Sequence, residues 1–253
     1  MKNTELKKIS EYYDSRAKKS DQAKAAGQWI NKEEIPIICE EIFNKIKIKK
    51  NYKVLEVGCG SGVLGNFIQK KIEFFAGLDI SLHMLKKFQE SSSKTLNLCQ
   101  ATTDSIPFSD KFFDVVILNG VTMYLRDEEI LQKTFAEIQR VVKNDGIIFL
   151  GENIVPRGYY WELVWFQNSS KFIQPGLKIY IKFRRWLASK NEKYAGKWKS
   201  MHKEISPEFI NQFFSNNATI EETNAVASTV RKKRLKEKYK GNRRRDFLIK
   251  LNL

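Results

Sequence analysis

Short apolar runs alternate with helix-compatible segments between residues 53 and 151 of this 253-residue chain. The apolar runs are Lys53–Val57, Phe74–Asp79, Leu96–Ala101, Asp114–Leu118 and Gly146–Gly151. The helix-compatible segments between most of them are Val63–Lys71, Leu82–Glu90 and Glu128–Val142. Strands and helices that alternate at this spacing build a parallel sheet through right-handed crossovers. The pattern therefore predicts an α/β fold.

The sequence on either side of this block is organised differently. Residues 3–26 and 33–48 have helical periodicity. After Gly151 the alternation stops, and residues 158–200 contain four of the five tryptophans, interleaved with Lys and Arg. A helix at Pro207–Phe214, capped by Ser206, and closing strands at Ala218–Val226 and Asp246–Leu253 follow. We expect a sheet domain made of residues 1–154 and 205–253, with residues 155–204 inserted as a mostly helical cap.

Composition excludes several classes of protein. No run approaches the length of a membrane-spanning helix, and the charged N-terminus has no apolar core typical of a signal peptide. The cysteines (Cys39, Cys59 and Cys99) stand far apart without CxxC spacing, and there are only two histidines. This usage predicts a cytoplasmic protein without a metal site.

Positive charge is concentrated in the C-terminal part. Residues 1–150 hold 23 Lys/Arg and 20 Asp/Glu (net +3), whereas residues 151–253 hold 22 and 9 (net +13). Either the C-terminal part faces an anionic partner, or the charge reflects the general abundance of lysine in this chain.

The stretch VLEVGCGSG (Val54–Gly62) joins the first predicted strand to a glycine-rich turn. Such a turn brings bare backbone close to a ligand at the carboxyl end of a parallel sheet. The dinucleotide fingerprint GxGxxG would need Gly or Ala at Val63, so it fails here. Glu56, two residues before the first glycine, suits a cationic ligand better than a pyrophosphate.

Several further segments carry a family resemblance in order and spacing. They are EYYDSRA near the N-terminus, GLDIS (Gly77–Ser81), Ser105–Gly120 and Val141–Glu152. With the glycine turn, they resemble the class I S-adenosylmethionine (SAM)-dependent methyltransferases, in particular the small-molecule group with a type 11 domain, over residues 10–152. The resemblance implies a Rossmann-like sheet of seven mostly parallel strands, with a helical N-terminal segment and a cap inserted after the fifth strand.

The resemblance assigns SAM-binding roles residue by residue. The turn from Gly58 through Cys59 and Gly60 to Gly62 would pass under the methionine and ribose, with Glu56 near the methionine ammonium. Asp79 would accept both ribose hydroxyls; its alternative role as a helix N-cap fits Ser81 better.

Further assignments concern the adenine, the amino group and the cover of the site. Ile80 would pack on adenine, and Asn119 would offer its backbone carbonyl to the amino group. Tyr13 would close over the cofactor. The adenine-contacting carboxylate of the family falls on Thr102 here, so Thr103 and Asp104 also become candidates.

The acceptor site is less determined by the sequence. Tyr124, after the fourth strand, and His202 are the candidate catalytic residues, although each also fits an ordinary structural role. The leading hypothesis is O-methylation of a small, hydrophilic, anionic metabolite, such as a phosphorylated or nucleotide-linked precursor of a surface polysaccharide. Arg184, Arg185 and the basic segment Arg231–Arg245 would then flank the acceptor.

Three alternatives stay open. The aromatic and basic segments could serve an RNA methyltransferase, although no separate RNA-binding module is recognisable. The chain could instead be a non-catalytic SAM-binding subunit. The segment LKIYIKFRRWL could also dock a lid on a membrane surface.

Overall fold

The computed structural model describes residues 2–18, 33–154, 203–214, 216, 218–227, 229–230 and 244–252, and seven strands within them form one sheet. The strands are β1 (Lys53–Val57), β2 (Phe74–Asp79), β3 (Asn97–Gln100), β4 (Phe113–Asn119), β5 (Val142–Ile154), β6 (Ala218–Asn224) and β7 (Arg244–Leu251). Their order across the sheet is β3-β2-β1-β4-β5-β7-β6. The pairs from β3 to β5 are parallel, and β7 runs antiparallel to both neighbours. The predicted seven-stranded, mostly parallel sheet is confirmed.

Six α-helices whose bounds lie within the described residues accompany the sheet. They are α1 (Lys2–Ala17), α2 (Glu34–Ile46), α3 (Gly65–Ile68), α4 (Leu82–Glu90), α5 (Glu128–Val141) and α6 (Pro207–Phe214), and a short 3₁₀ turn spans Thr122–Tyr124. Side-chain caps fix where three of them begin. Ser81 accepts a hydrogen bond from Met84 N, Asp127 from Glu129 N, and the predicted cap Ser206 from Phe209 N.

The two faces of the sheet are buried against different helices. Alternate residues of a strand point to opposite faces, so Leu55 joins the core under α5 and α6, whereas Val54 joins the core under α2 and α4. Glu56 follows Val54 at a spacing of two and therefore lies on the α2 side.

The predicted bounds were wrong in two places. The helix predicted at Val63–Lys71 is reduced to Gly65–Ile68, because the glycine loop continues through Gly62, which has φ +79°. Strand β5 is longer than the predicted Gly146–Gly151, because it pairs with Phe113 at one end and with Arg244 at the other. Of the helix predicted over residues 3–26, the structure describes α1, which ends at Ala17.

The predicted cap lies almost entirely outside the described residues. The two ends of the insertion nevertheless meet, because Ile205 N donates a 2.8 Å hydrogen bond to the carbonyl of Ile154. The division into sheet domain and cap stays a prediction, and this contact supports it. In the described part of the chain, no helix is long and apolar enough to cross a membrane.

Candidate functional site

A cavity lies at the carboxyl ends of β1, β2 and β4. Here the strand order switches direction, because β2 and β3 lie on one side of β1, and β4 and β5 on the other. Open parallel sheets bind ligands at this switch point. Nine of the eleven residues predicted to bind cofactor line the cavity: Tyr13, Glu56, Gly58, Cys59, Gly60, Asp79, Ile80, Thr103 and Asn119. Tyr124 lines it too, whereas Gly62 and Asp104 do not.

The glycine loop is fixed by backbone hydrogen bonds to β2. The amides of Gly58 and Cys59 both donate to the carbonyl of Leu78, at 2.6 and 3.0 Å. Gly58 has φ +73°, and a Cβ there would lie 2.4 Å from a methyl carbon of Val121. A Cβ on Gly62 would lie 2.0 Å from the ring of Phe88. Gly62 therefore allows close packing against Phe88 of α4; it does not line the cavity, and its predicted place beneath the ligand stays a prediction.

Asp79, at the end of β2, is held in place by two backbone amides. Its Oδ2 accepts from Gly60 N at 2.8 Å, and its Oδ1 accepts from Ser81 N at 2.9 Å. Burial raises the pKa of Asp79, and these hydrogen bonds oppose that rise. Since each carboxylate oxygen has two lone pairs, Asp79 can still accept hydroxyl donors from a ligand. The helix cap is Ser81, as the sequence indicated.

Glu56 presents an unsatisfied acceptor to the cavity. The residue is 4% exposed, and its Oε2 atom has no hydrogen-bond partner among the described residues. Burial, followed by the nearby charge of Asp79, raises the pKa of Glu56 to about 8. A buried carboxylate in this state would be stabilised by a cation or a strong hydrogen-bond donor.

Asn119, at the end of β4, supplies a second unsatisfied acceptor. Its Oδ1 atom is buried and has no hydrogen-bond partner within the described ranges. The neighbouring strand makes room for it, because a Cβ on Gly151 of β5 would lie 2.2 Å from this oxygen. The sequence assigned the backbone carbonyl of Asn119 to the ligand and missed the side chain.

At the adenine end of the predicted site, Thr102 and Thr103 line the cavity and Asp104 lies outside it. The Thr103 hydroxyl is 2.7 Å from the hydroxyl of Thr134 on α5. This contact holds the chain against α5 at the residue that precedes Asp104. Asp104 does not line the cavity, although its Oδ1 atom is also buried without a hydrogen-bond partner in the described residues, so its assignment stays a prediction. Thr102 stands at the position that the resemblance indicated.

Helix α1 covers the cavity with one face. Leu6, Ile9 and Tyr13 line it, at the three- and four-residue spacing of a helical face. The rings of Tyr13 and Tyr124 meet edge to face, with centroids 5.7 Å apart. Burial, and then Tyr124, raise the pKa of Tyr13, so its hydroxyl stays protonated near neutral pH. The sequence analysis missed Leu6 and Ile9, although their spacing from Tyr13 was a usable signal.

The post-β4 turn forms another part of the lining, in contact with α1 through Tyr124. Val121, Tyr124 and Leu125 line the cavity there, and Val121 and Leu125 were not predicted. Lys203 N donates to the carbonyl of Met123 at 2.7 Å, which brings the chain after the insertion against this turn. The other predicted catalytic residue, His202, lies outside the described residues.

The comparison with protein families decides what kind of domain this is. The family model of the methyltransferase domain matches residues 55–150, which run from β1 into β5. Residues 55–150 match the methyltransferase domain family, and the seven-stranded sheet that contains them has the class I methyltransferase fold. The resemblance noted in the sequence is thereby confirmed.

Two curated proteins are similar to this chain over about 100 residues each. An uncharacterized protein of Methanocaldococcus jannaschii is 34% identical over 113 residues, which is 44% of this chain and 46% of that one. A malonyl-[acyl-carrier protein] O-methyltransferase of Hamiltonella defensa is 33% identical over 101 residues, 40% of this chain and 37% of its own. The matches thus span less than half the length of these relatives.

A solved structure shares the fold across nearly the whole chain. Phosphoethanolamine N-methyltransferase 1 of Haemonchus contortus, in complex with phosphoethanolamine and S-adenosylhomocysteine, superposes with a TM-score of 0.70 at 13% identity. The superposition covers 99% of this chain and 49% of that one. At this identity the likeness concerns the fold alone.

Proposed function

We propose that this protein is a SAM-dependent methyltransferase that binds SAM in the cavity of the glycine loop. The observation that carries the proposal is the pair of buried carboxylates in that cavity. Asp79 is held by the Gly60 amide, and Glu56 has an oxygen without a partner in the described residues. A ligand that carries both a cation and a pair of hydroxyls would satisfy both groups, and SAM carries an ammonium and a ribose.

The remaining lining residues fit the other parts of this cofactor. Ile80 and Thr102 also line the cavity, and they would contact the adenine next to a ribose bound by Asp79. Asn119 Oδ1 offers the ammonium a second acceptor next to Glu56. Leu6 and Tyr13 of α1 cover the cavity and exclude water.

SAM, when bound, supplies a methyl group on a sulfonium, which is already an activated leaving group. The protein's main task is then to align the acceptor and exclude water. The wall formed by Ile9, Val121, Tyr124 and Leu125 is apolar apart from the tyrosine hydroxyl. We assign Tyr124 the role of orienting the acceptor.

For the acceptor we propose a small, hydrophilic, anionic molecule that is methylated on oxygen, such as a phosphorylated or nucleotide-linked sugar. The support is the net charge of +13 in residues 151–253. A sugar hydroxyl would need a base, for which His202 is the candidate.

Two experiments test the proposal in order. Calorimetric titration with S-adenosylhomocysteine (SAH) should show binding, and titration with NAD should show none. Labelled SAM should then transfer methyl groups to phosphorylated or nucleotide-linked sugars in preference to matched neutral sugars, with Tyr124→Phe as the variant. Absence of SAH binding would overturn the cofactor assignment, and equal labelling of neutral sugars would overturn the acceptor class.

A further inference from the structure

The carboxylate of Asp14, on α1, lies at the N-terminus of α4. Its Oδ1 atom accepts a hydrogen bond of 2.5 Å from Ser81 Oγ and is 3.1 Å from Nδ1 of His83. The backbone N–H of His83 also donates to the carboxylate. An anion at a helix N-terminus is stabilised by free N–H donors and by the helix dipole. Asp14 therefore caps α4 from another helix.

Ser81 connects this contact to the cofactor cavity. Its Oγ donates to Asp14 and accepts from Met84 N at 3.1 Å, while its own N–H donates to Asp79 Oδ1 at 2.9 Å. One residue thus joins the carboxylate on the covering helix to the carboxylate proposed to hold the ribose.

The other polar contacts of α1 lead to the same stretch of chain. Ser10 Oγ donates to the carbonyl of Ile80, and Lys87 Nζ donates to the carbonyl of Ala17, both at 3.3 Å. Burial opposes ionisation of Asp14, but the hydrogen bonds from Ser81 and His83 lower its pKa below the usual value. The carboxylate is thus charged near neutral pH, where it attracts these donors most strongly.

We infer that Asp14 is a positioning residue that keeps α1 closed over the cavity and thereby sets how long the cofactor stays bound. The inference rests on the proposed function, because the cofactor is taken to be SAM or SAH. Leu6 and Tyr13 of α1 line the cavity, so α1 in this position would slow the release of a cofactor bound there. Breaking the contacts of Asp14 with Ser81 and His83 is a large part of the polar cost of moving α1, beside the bonds of Ser10 and Ala17.

The test compares the dissociation rate of SAH from two variants with the same change of charge. Asp14→Asn should speed dissociation roughly tenfold, about the effect of one charge-assisted hydrogen bond. Glu11→Gln is the matched control, because Glu11 lies on the same helix, is exposed and pairs with Lys7 at 4.0 Å. It should leave the rate unchanged. Equal rates for Asp14→Asn and the wild type would overturn the inference.

Hydrogen exchange gives a second measurement that needs no ligand. In Asp14→Asn the amides of residues 6–17 should exchange faster, while those of β1 and β4 keep wild-type protection. His83→Ala, whose side chain is 57% exposed in the wild type, should give a smaller increase in the same amides. Unchanged protection of α1 in both variants would contradict the closing role. Absence of SAH binding to the wild type would count against the proposed function alone, since the exchange experiment would still test Asp14.

Discussion

The Oδ2 atom of Asp79 accepts a 2.8 Å hydrogen bond from the backbone N–H of Gly60. This bond joins the end of β2 to the glycine loop after β1, so the two features that the sequence placed 19 residues apart form one rigid wall of the cavity. A wall fixed before the ligand arrives lowers the ordering cost of binding.

Removing the Asp79 carboxylate should weaken cofactor binding. Each charge-assisted hydrogen bond to the ribose contributes roughly 1.5–3 kcal/mol, so Asp79→Ala should bind SAH about a hundredfold less tightly or worse. Asp79→Asn keeps the shape of the side chain and loses its charge, so its affinity for SAH should lie between those of Asp79→Ala and the wild type. Calorimetry measures both, with the exposed Asp145→Ala as the control. If Asp79→Ala binds SAH with wild-type affinity, Asp79 does not contact the cofactor.

The side chain of Asn119 should discriminate between two ligands. Asn119→Ala removes the unpartnered Oδ1, so it should weaken the binding of SAH roughly tenfold. The affinity for 5′-methylthioadenosine, which lacks the amino-acid end, should not change. Gly151→Ala should reproduce this pattern, because its Cβ would displace the same oxygen. If the affinities for both ligands fall equally, Asn119 supports the structure of the site and does not contact the ammonium.

Cofactor affinity should rise with pH because of Glu56. With a pKa raised to about 8 by burial, Glu56 is protonated in the ligand-free protein near neutral pH. An ammonium ligand favours the ionised form, so binding should release about one proton, and SAH affinity should rise by up to tenfold per unit between about pH 5.5 and 7.5. Glu56→Gln should abolish this dependence. A pH-independent affinity of the wild type would contradict the proposed contact with the ammonium.

The same group should make the ligand-free protein less stable as the pH rises. The pKa of Glu56 is higher in the folded state than its ordinary value of 4.5, so the folded state binds more protons between about pH 4.5 and 8. Stability from this group is therefore complete below the unfolded pKa and is lost as the pH approaches 8, by up to about 1.4 kcal/mol per unit. Thermal melts at pH 5.5 and 7.5 should show a smaller loss for Glu56→Gln than for the wild type. An equal loss would mean that other groups control this range.

Deleting the insertion should separate cofactor binding from turnover. Because Ile205 N and the carbonyl of Ile154 are 2.8 Å apart, a short Gly/Ser linker can replace residues 156–203. The shortened protein should still bind SAH with similar affinity, since the described lining residues all precede the insertion, and it should lose methyl transfer. Loss of SAH binding would show that the segment belongs to the core.

Salt dependence should distinguish a small anionic acceptor from RNA. Binding of RNA releases counterions in proportion to the phosphates contacted, which gives a steep log–log slope over about 50–200 mM salt. We expect a shallow slope, because the basic residues predicted to flank the acceptor, Arg184, Arg185 and Arg231–Arg245, would surround one pocket. Tight RNA binding with a steep slope, together with methylation of RNA, would favour the RNA methyltransferase alternative.

The sequence alone determined the features that depend on local periodicity and backbone chemistry. The bounds of β1, β2 and α4 follow from apolar alternation and from the cap at Ser81, and Asp79 is identified by its place at the end of β2. These features depend on residues within a few positions of one another in the chain, so they can be predicted from the sequence alone.

The tertiary structure alone decided which side chains face the cavity. Thr103 meets Thr134 of α5, a helix about thirty residues away in sequence, and Asp104, which follows it, does not line the cavity. Asn119 Oδ1 fits beside β5 because that adjacent strand has a glycine at position 151. Asp14 caps α4 because α1 folds back across the cavity mouth. Each contact joins residues that are remote in sequence, and only packing of the whole sheet and its helices brings them together.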